Sequence, residues 1–451
     1  MVGNETCVTS QKRKNTALLF NMDESKDGIK EVQVRFVSKL EIGVPDNSFA
    51  VPVTLARYGL SEIVNHFLEE DNQRPFDFLI NNQFLRSTIS KYLIKTGVTG
   101  EAGLTVEVVE AVSAPDSEEG QTHPDWVAST ATISDRLIVS GCYDGVVRVF
   151  AQKEGSALNV RDATALGMGH TNAVKAVACF DRTHESDSAT DMVVSVSKDR
   201  TARLWKYTAK QEALHCAAVC SGHTNSVETV VTSGQRFATG GWDTNVLMWD
   251  SAEILANADN SGTTKKQKSS SSSNTTCVAT GTPLAELEGH TQCVSAMVWP
   301  HPLALYSGSW DCSIRLWDTP TGTCSSTWHG NKQISSLSFS VNANLLASAH
   351  CDRSVRIWDP RSKDGEVQKL QLRSHKEWVT DVAFAPNTAH MLASTSHDGT
   401  VKIWDTRSTV PLHTITTHTD KVLSVSWYSD TQLVSGAADC KLLTHTFAAS
   451  S

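Results

Sequence analysis

The sequence predicts a mainly β protein, in which a seven-bladed β-propeller follows a small α+β domain. Two observations predict this fold. A short segment recurs seven times, and every copy has a serine or threonine four residues before an aspartate. Residues 30–111 lack that segment, but they alternate polar and apolar side chains, which is typical of strands. Four-stranded units that cannot bury both faces alone stack around a ring.

The recurring segment ends in tryptophan in five copies, six residues after the aspartate, whereas the first copy has Phe150 there and the last has His445. Apolar residues alternate between the aspartate and the tryptophan, which predicts a strand with one buried face. The copies are SGCYDGVVRVF at 140–150, SVSKDRTARLW at 195–205, TGGWDTNVLMW at 239–249, SGSWDCSIRLW at 307–317, SAHCDRSVRIW at 348–358, STSHDGTVKIW at 394–404 and SGAADCKLLTH at 435–445.

A histidine precedes six of the copies, and a valine follows that histidine four residues later. The fifth copy departs from the pattern, because Gly330-Asn331 stands where glycine and histidine are expected. The histidines are His123, His170, His223, His290, His375 and His418.

These residue types suit one buried hydrogen-bonded network. The turn aspartate accepts from one histidine nitrogen, the other nitrogen accepts from the hydroxyl, and the hydroxyl oxygen accepts the indole N–H, so every buried donor has an acceptor. A nucleophilic triad uses the same types, but six copies at repeat positions favour a structural role. The predicted networks are His170, Ser195, Asp199 and Trp205; His223, Thr239, Asp243 and Trp249; His290, Ser307, Asp311 and Trp317; and His375, Ser394, Asp398 and Trp404.

From residue 121 to residue 447 the repeats resemble the WD-repeat family. Propellers of that family usually close with a strand from before the first repeat. Only a few residues follow His445, so the resemblance implies that the closing strand comes from residues 112–122.

The first hundred residues predict a separate domain at 30–111. Residues 30–39 and 49–53 alternate as strands, and residues 61–69 carry apolar side chains at helical spacing. Strands at 76–80 and 83–85 flank the turn pair Asn81-Asn82, and 103–110 is a last strand. The order β-β-α-β-β-β in about eighty residues suggests a ubiquitin-like β-grasp.

The remaining segments are predicted from composition. Residues 1–29 form a polar tail that we expect to be disordered, residues 112–451 form the propeller, and the serine-rich insert 251–280 is predicted to be disordered. Lys265, Lys266 and Lys268 form a basic cluster in this insert. It fits a nuclear-import or RNA contact equally as well as a solubilising loop.

Composition excludes several classes of protein. The net charge is −9, whereas a protein that binds nucleic acid with its whole surface is usually basic. Eleven cysteines without Cys-x-x-Cys spacing argue against a zinc site and against a disulfide framework. No apolar stretch is long enough to span a membrane. We expect no catalytic residues, no cofactor, no metal bound by this chain alone and no membrane partner.

The exact residues of several segments are more specific than their polar and apolar pattern. RYGLSEIVNHFL at 57–68 and PFDFLINNQFLRSTISKYL at 75–93 resemble the N-terminal domain of WD-repeat ribosome-biogenesis factors of the Ytm type. GNKQISSLSFS at 330–340, WDPRSKDG at 358–365, WDTR at 404–407 and HTDKVLSVSW at 418–427 resemble their propeller. These factors form a complex with Pescadillo and the block-of-proliferation protein.

The resemblance implies a non-catalytic assembly factor of the large ribosomal subunit, located in the nucleolus and nucleoplasm. It implies that the ubiquitin-like domain docks on the AAA ATPase midasin, which releases the factor from the pre-ribosome. A glutamate before the last strand of that domain completes a divalent-cation site of midasin, and Glu101 is the matching residue here. Gly100 and Gly103 stand where the family often has serine.

Two alternatives remain open from the sequence. Trp-Asp-x-Arg occurs at 358–361 and 404–407, and this tetrapeptide resembles the docking motif of substrate receptors in cullin-type ubiquitin ligases. A Notchless-type assembly factor shares the domain plan but usually has eight blades, whereas seven turn aspartates favour the Ytm type.

Several side chains are candidates for a partner surface. Trp242 and Trp310 precede turn aspartates and either line a face for the block-of-proliferation protein or pack between blades. Basic residues on the third strands are further candidates: Arg203, Arg315, Arg356 and Lys402.

Overall fold

A computed structural model describes residues 31–38, 45, 47–68, 74–97, 103–133, 136–151, 160–180, 190–261, 279–362 and 368–447. The chain divides into two compact units, one ending at Ala111 and one beginning at Val112. The predicted tail, residues 1–29, lies outside the described residues. In the described part of the chain, no helix has the length and apolar character that crossing a membrane requires.

The N-terminal unit is a five-stranded sheet in the order β2-β1-β5-β3-β4, with β1 and β5 parallel at its centre. Two helices contribute side chains to the same apolar core as the sheet, which includes Phe36, Phe78 and Val106. The elements are β1 (Glu31–Ser38), β2 (Ser48–Pro52), α1 (Arg57–Leu68), β3 (Phe76–Ile80), β4 (Gln83–Phe84), α2 (Ile89–Thr96) and β5 (Leu104–Glu110).

Helix α2 is a feature that the sequence analysis missed. Its eight residues bury Ile89 and Tyr92, and the hydroxyl of Tyr92 donates to the carbonyl of Ile80 at 3.2 Å. The Thr88 side chain accepts the amide of Lys91, and Gly97 ends the helix in the left-handed conformation at φ 68°. Two buried positions in one short segment are too few for a helical period to be recognised.

The second unit contains seven sheets in its described residues, and we number them as blades 1 to 7. Their innermost strands contact one another in turn and return from the seventh to the first, so the ring is closed. Blades 1 to 3 contain β7 (Val127–Ile133), β8 (Leu137–Cys142), β9 (Val146–Ala151) and β10 (Ala165–Met168); β11 (Val174–Cys179), β12 (Thr190–Ser197), β13 (Thr201–Thr208) and β14 (Ala213–Ser221); and β15 (Val227–Ser233), β16 (Arg236–Gly241), β17 (Val246–Asp250) and β19 (Ala285–Leu287).

The other blades continue the pattern from inner to outer strand. Blades 4 to 7 contain β20 (Val294–His301), β21 (Ala304–Ser309), β22 (Ser313–Asp318) and β23 (Thr323–His329); β24 (Ile334–Ser340), β25 (Leu345–His350), β26 (Ser354–Trp358) and β27 (Gln368–Arg373); β28 (Val379–Phe384), β29 (Met391–Ser396), β30 (Val401–Asp405) and β31 (His413–Ile415); and β32 (Val422–Ser429), β33 (Gln432–Ala437), β34 (Lys441–Thr446) and β6 (Asp116–Thr122). The predicted closing strand is confirmed, because β6 from before the first repeat pairs antiparallel with β34.

The prediction of a disordered insert at 251–280 is wrong at both ends. Helix α3 (Ser251–Ser261) follows β17 directly, before the outer strand β19 of blade 3, and the amides of Ala252 and Glu253 donate to the carboxylate of Asp250. Strand β18 (Ala279–Gly281) pairs in parallel with β14 and adds a fifth strand to blade 2. Ile254 is buried in the apolar cluster between blades 2 and 3, and this single side chain gave no visible period in the sequence. Residues 262–278, with Lys265, Lys266 and Lys268, lie outside the described residues.

Candidate functional site

The structure brings each of the four predicted sets together as a buried network. In blade 2, His170 Nδ1 lies 2.8 Å from Asp199 Oδ2 and its Nε2 lies 2.8 Å from Ser195 Oγ, which accepts the indole N–H of Trp205 at 2.8 Å. The same three distances, in the same order, are 2.7, 2.7 and 2.8 Å for His223, Asp243, Thr239 and Trp249; 2.8, 2.7 and 2.7 Å for His290, Asp311, Ser307 and Trp317; and 3.2, 2.8 and 2.8 Å for His375, Asp398, Ser394 and Trp404.

The turn aspartate organises more than its histidine. Asp199 also accepts the amide of Thr171 at 3.0 Å and the hydroxyl of Thr201 at 2.6 Å. Burial alone would raise the pKa of Asp199, but the bonds from His170 and Thr201 outweigh it and hold that pKa below its usual range. Each carboxylate therefore stays ionised and joins a loop, a turn and the strand behind it.

Blade 7 extends the network by one residue. His418 contacts Asp439 at 3.0 Å and Ser435 at 2.8 Å. His445 takes the tryptophan position, with Nε2 2.8 Å from Ser435 Oγ and Nδ1 2.7 Å from Ser117 Oγ. A second histidine nitrogen thus replaces the indole N–H and ties the network to closing strand β6.

The expectation of six equivalent Ser-His-Asp sets is wrong for blade 1. His123 Nε2 contacts Ser140 Oγ at 2.9 Å, but its Nδ1 contacts the carbonyl of Gln121 at 3.0 Å. Asp144 pairs with Arg148 at 2.6 Å. The segment His-Pro-Asp-Trp before β7 differs from the usual Gly-His-Thr, and the ring turns to a backbone acceptor.

Blade 5 contains a histidine that the sequence analysis missed. His350 Nε2 lies 2.7 Å from Ser348 Oγ, which also accepts the indole N–H of Trp358 at 2.7 Å. Asp352 pairs with Arg356 at 2.6 Å. The signal was present, because residues two apart on strand β25 share a face, and His350 stands two residues after the serine.

These sets are closed to substrates. The hydroxyls of Ser195, Ser307 and Ser394 belong to fully buried residues, and each oxygen already contacts an imidazole and an indole. A nucleophilic serine needs an open approach to its oxygen. The arrangement holds blades together and leaves no attack geometry at these serines.

Aromatic side chains lie on the surface directly above the networks. The residue before the turn aspartate donates its amide to the carbonyl of the residue before the inner strand, as Trp242 does to Ser226 at 2.9 Å and Trp310 to Cys293 at 3.0 Å. The same bond joins Tyr143 to Trp126 and His397 to Trp378. These pairs therefore occupy one end of the blades, which we call the turn face.

A continuous chain of contacts crosses the turn face from blade 1 to blade 4. Trp126 packs on Tyr143 with ring centroids 5.4 Å apart, and the ammonium of Lys175 donates to the Tyr143 hydroxyl at 3.0 Å. Lys175 pairs with Glu228 at 3.1 Å, and the other oxygen of Glu228 accepts the indole N–H of Trp242 at 3.0 Å.

Trp242 completes this series of contacts, and it both packs between blades and remains partly exposed. Its ring meets Trp310 of the next blade edge to face at 4.9 Å, yet 43% of Trp242 remains exposed. Trp126 and Trp378 are exposed at 40% and 52%. In both segments the tryptophan stands directly before the first valine of the inner strand. This position was the sequence signal that could have found Trp126 and Trp378.

The basic residues of the third strands are placed differently from the expectation. Arg356 and Lys402 are buried. Arg203 and Arg315 are partly buried, with Nη1 3.7 Å from Cys216 Sγ and 3.9 Å from Cys324 Sγ. They lie inside the blades rather than on an accessible basic surface.

The Trp-Asp-x-Arg motifs are explained by their own turns. Arg361 binds Asp359 through Nε at 2.9 Å and Nη2 at 3.0 Å, and Arg407 binds Asp405 through Nε at 2.9 Å and Nη2 at 2.7 Å. Each guanidinium group is bound by the aspartate that stands two residues before it. The motif therefore needs no external partner to account for it.

Two site predictions are not addressed by these contacts. Glu101 lies outside the described residues. Among the residues that the structure describes, no group of three or more histidine, cysteine or acidic side chains is placed to hold a metal ion.

Comparison with known proteins agrees with this architecture. The NLE (NUC135) domain family matches residues 32–93. The WD domain, G-beta repeat family matches residues 164–206, 214–250, 281–318, 322–359, 366–405 and 409–443.

Curated relatives match nearly the whole chain. The "Ribosome biogenesis protein WDR12 homolog" of Chlamydomonas reinhardtii is 36% identical over 441 residues, which covers 91% of this chain and 97% of the relative. The proteins of the same name from Arabidopsis thaliana and Nematostella vectensis are both 34% identical, cover 93% and 92% of this chain, and are themselves covered over 97% and 99%.

Proposed function

Because this chain belongs to the WDR12 family of ribosome biogenesis proteins, we propose that it is a non-catalytic assembly factor of the large ribosomal subunit. The predicted resemblance to Ytm-type factors is confirmed, and the chain has a role in ribosome assembly. The proposal is finer: the propeller scaffolds a complex with Pescadillo-type and block-of-proliferation-type proteins during pre-ribosomal RNA processing, in the nucleolus and nucleoplasm.

The turn face is the observation that carries the scaffold proposal. Partly exposed aromatic side chains are typical anchors of protein interfaces, and ordering them on binding costs rotamer entropy. Here the indole of Trp242 is already fixed by Glu228 and by Trp310. A partner therefore meets a preorganised aromatic surface.

Substitution of two tryptophans tests the scaffold proposal. We expect Trp242→Ala with Trp310→Ala to weaken binding of the block-of-proliferation-type protein by at least about tenfold, the loss typical of a central aromatic anchor. Leu303→Ala is the matched control, because Leu303 is exposed at the opposite end of β21 from Trp310. Titration calorimetry measures both variants, and an unchanged affinity of the tryptophan variant refutes the assignment of this face.

The N-terminal unit supplies the second half of the proposal. We infer that it docks on midasin and that Glu101 completes a divalent-cation site there. A carboxylate is a suitable ligand for a hard cation, and Glu101 stands three residues before β5 in the sequence. Glu101→Ala should abolish midasin binding and leave both folding and propeller partners unaffected. Glu31→Ala, at an exposed position of strand β1 in the same unit, is the control. Normal midasin binding by the Glu101 variant refutes this role.

Affinity purification separates the proposed function from its rivals. From growing cells we expect the chain to recover large-subunit precursors with their RNA, and its two protein partners. Recovery of a cullin adaptor without ribosomal RNA supports the ubiquitin-ligase alternative instead. Crosslinking of the recovered RNA then shows whether the propeller contacts RNA directly.

A further inference from the structure

The strand that closes the propeller is also the segment by which the N-terminal unit is attached. The chain leaves that unit at Ala111 and enters β6 at Asp116. This is the one covalent connection between the two units. Wherever the N-terminal unit is held, tension carried along this connection reaches the propeller at Val112, just before β6.

The side chains of β6 add little to its attachment. Its sequence, DSEEGQT, contains no apolar side chain, and none of its residues is buried. The outer strands of blades 5 and 6 bury Leu372 and Ile415 instead. β6 relies on its backbone pairs with β34, on Ser117 Oγ at 2.7 Å from His445, and on an exposed pair of Lys441 with Glu119 at 2.7 Å. An exposed ion pair contributes little to stability. At the far end of the strand, the amide of Gln121 donates to Val160 O at 2.7 Å and its Oε1 accepts the amide of Ala163 at 3.1 Å, so these two bonds are the last to break.

The register places β6 in a geometry that opens one pair at a time. β6 and β34 are antiparallel, with Asp116 opposite Thr446 and Thr122 opposite Lys441. Tension that enters at Asp116 first loads the pair at that end, and the following pairs are loaded only after it breaks. β34 is held more firmly, because it buries Leu442, Leu443 and His445.

The N-terminal unit has the opposite geometry. Its first strand β1 and its last strand β5 are parallel neighbours, paired from Val34 with Leu104 to Ser38 with Val108. Tension applied at the start of β1 and at the end of β5 slides the strands along each other, and all these hydrogen bonds are loaded together. This unit therefore sustains more tension than β6.

We propose that β6 is a tension-released latch, which detaches from β34 before either unit unfolds when the N-terminal unit is pulled. Release breaks the bond of Val112 O with His413 Nε2 at 2.8 Å, then the ladder, and it leaves blade 7 with three strands. Blades 7 and 1 stay joined through Thr132, whose hydroxyl donates to Trp427 O at 2.6 Å. The proposal rests on the proposed function only for the source of tension, which is midasin.

Single-molecule pulling of the full-length chain tests the latch without midasin. With handles at the two termini, we expect a first extension of roughly 40 Å, because residues 112–122 add up to about 3.3–3.6 Å each when extended. Unfolding of the N-terminal unit first would give a step several times longer. That order of events overturns the proposal.

A disulfide across the latch supplies the matched control. Glu118 lies opposite Thr444 in the register, and neither residue is buried. Directly opposed antiparallel residues have Cα separations that suit a disulfide. The Glu118→Cys, Thr444→Cys variant should lose the short step when oxidised and regain it when reduced. A short step that persists in the oxidised variant refutes the assignment to β6.

A midasin assay keeps the two proposals distinguishable. The oxidised variant should bind midasin as the reduced variant does, but ATP-driven release from pre-ribosomes should be at least several-fold slower. Equal release rates with intact binding overturn the latch and leave the proposed function standing. Failure of the unmodified chain to bind midasin refutes the docking proposal, while the pulling result still decides the latch.

Discussion

The aspartate of blade 2 allows the stability of one polar network to be calculated from its contacts. Asp199→Ala removes the close acceptor of His170 Nδ1, at 2.8 Å, and leaves the Thr201 hydroxyl at 3.4 Å, while the His170 side chain is fully buried. An unpaired buried donor costs about 1–3 kcal/mol. The amides of Thr171 and Thr201 and the hydroxyl of Thr201 also lose this acceptor, but they lie at the turn and can reach water. About 3 kcal/mol in all is the expected loss of unfolding free energy.

The expected loss appears as a modest shift in melting temperature. The propeller unit spans residues 112–451, and unfolding entropy grows by about 2.1 cal/mol/K per residue, so 3 kcal/mol lowers Tm by about 4 °C. Differential scanning calorimetry of the propeller transition measures this shift. Asp199→Asn is the control, since its amide oxygen still accepts from His170 and should preserve most of the stability.

A double-mutant cycle isolates the histidine bond. In a His170→Ala background, Asp199→Ala should cost about 1–2 kcal/mol less than in the native background, because the unpaired donor is already gone. Equal costs in both backgrounds refute the reasoning, as does an asparagine variant that is as unstable as the alanine variant.

Three further predictions concern other positions. Burial lowers the pKa of His123 and of His350 to about 4 and that of His445 to about 3. The unfolded chain therefore binds more protons than the folded chain below about pH 6.5, and the free energy of unfolding should fall as the pH drops from there towards 4. Urea titrations should show a smaller fall for His350→Asn. His350→Ala at neutral pH should cost about 1–3 kcal/mol through the lost partner of Ser348, measured by urea unfolding, and a neutral substitution contradicts the blade 5 network. Ile254→Ala should cost about 2–4 kcal/mol and increase hydrogen exchange in β14 and β18, whereas exchange equal to that of the native chain contradicts the anchoring of α3.

The repeated networks could be predicted because their spacing is set by the strands themselves. Serine and tryptophan are ten residues apart across one hairpin, as in Ser195 and Trp205, and this spacing recurs unchanged with Ser307 and Trp317. The closing strand was implied by the resemblance to WD-repeat propellers, which usually close with a strand from before the first repeat, and β6 supplies it. Periodic, local features are what a sequence displays most clearly.

What could not be predicted depends on contacts between distant segments. His350 replaces a loop histidine from within strand β25, and β18 reaches blade 2 from an insert that leaves blade 3. Neither of these two features changes the number of repeats that the sequence shows. The exposure of Trp242 beside the partly buried Trp310 likewise follows from the neighbouring blade.

One competition explains the variation among the five turns in which a basic residue stands four positions after the aspartate; blades 3 and 7 have Leu247 and Leu443 there. The aspartate is constant, and its partner is either a histidine from the preceding loop or the basic residue four positions later. In blades 1 and 5 no histidine nitrogen reaches the carboxylate, and Arg148 and Arg356 bind it at 2.6 Å. In blades 2 and 4 histidine occupies it, and the arginines Arg203 and Arg315 turn to a cysteine sulfur.

In blades 2 and 4 the arginine that does not bind the aspartate has an unfavourable environment. Nη1 of Arg203 and Nη1 of Arg315 have a cysteine sulfur, which is a weak acceptor, as hydrogen-bond partner, whereas an aspartate would offer a charge-assisted hydrogen bond. Nε is buried without an acceptor in both, and equally in Arg356, which binds Asp352 through Nη2. Replacing His170 by phenylalanine should therefore allow Arg203 to bind Asp199 as Arg148 binds Asp144, and the variant should lose less stability than His170→Phe combined with Arg203→Leu. Equal stability of the two variants, measured by urea unfolding, would show that histidine and arginine do not compete for one carboxylate.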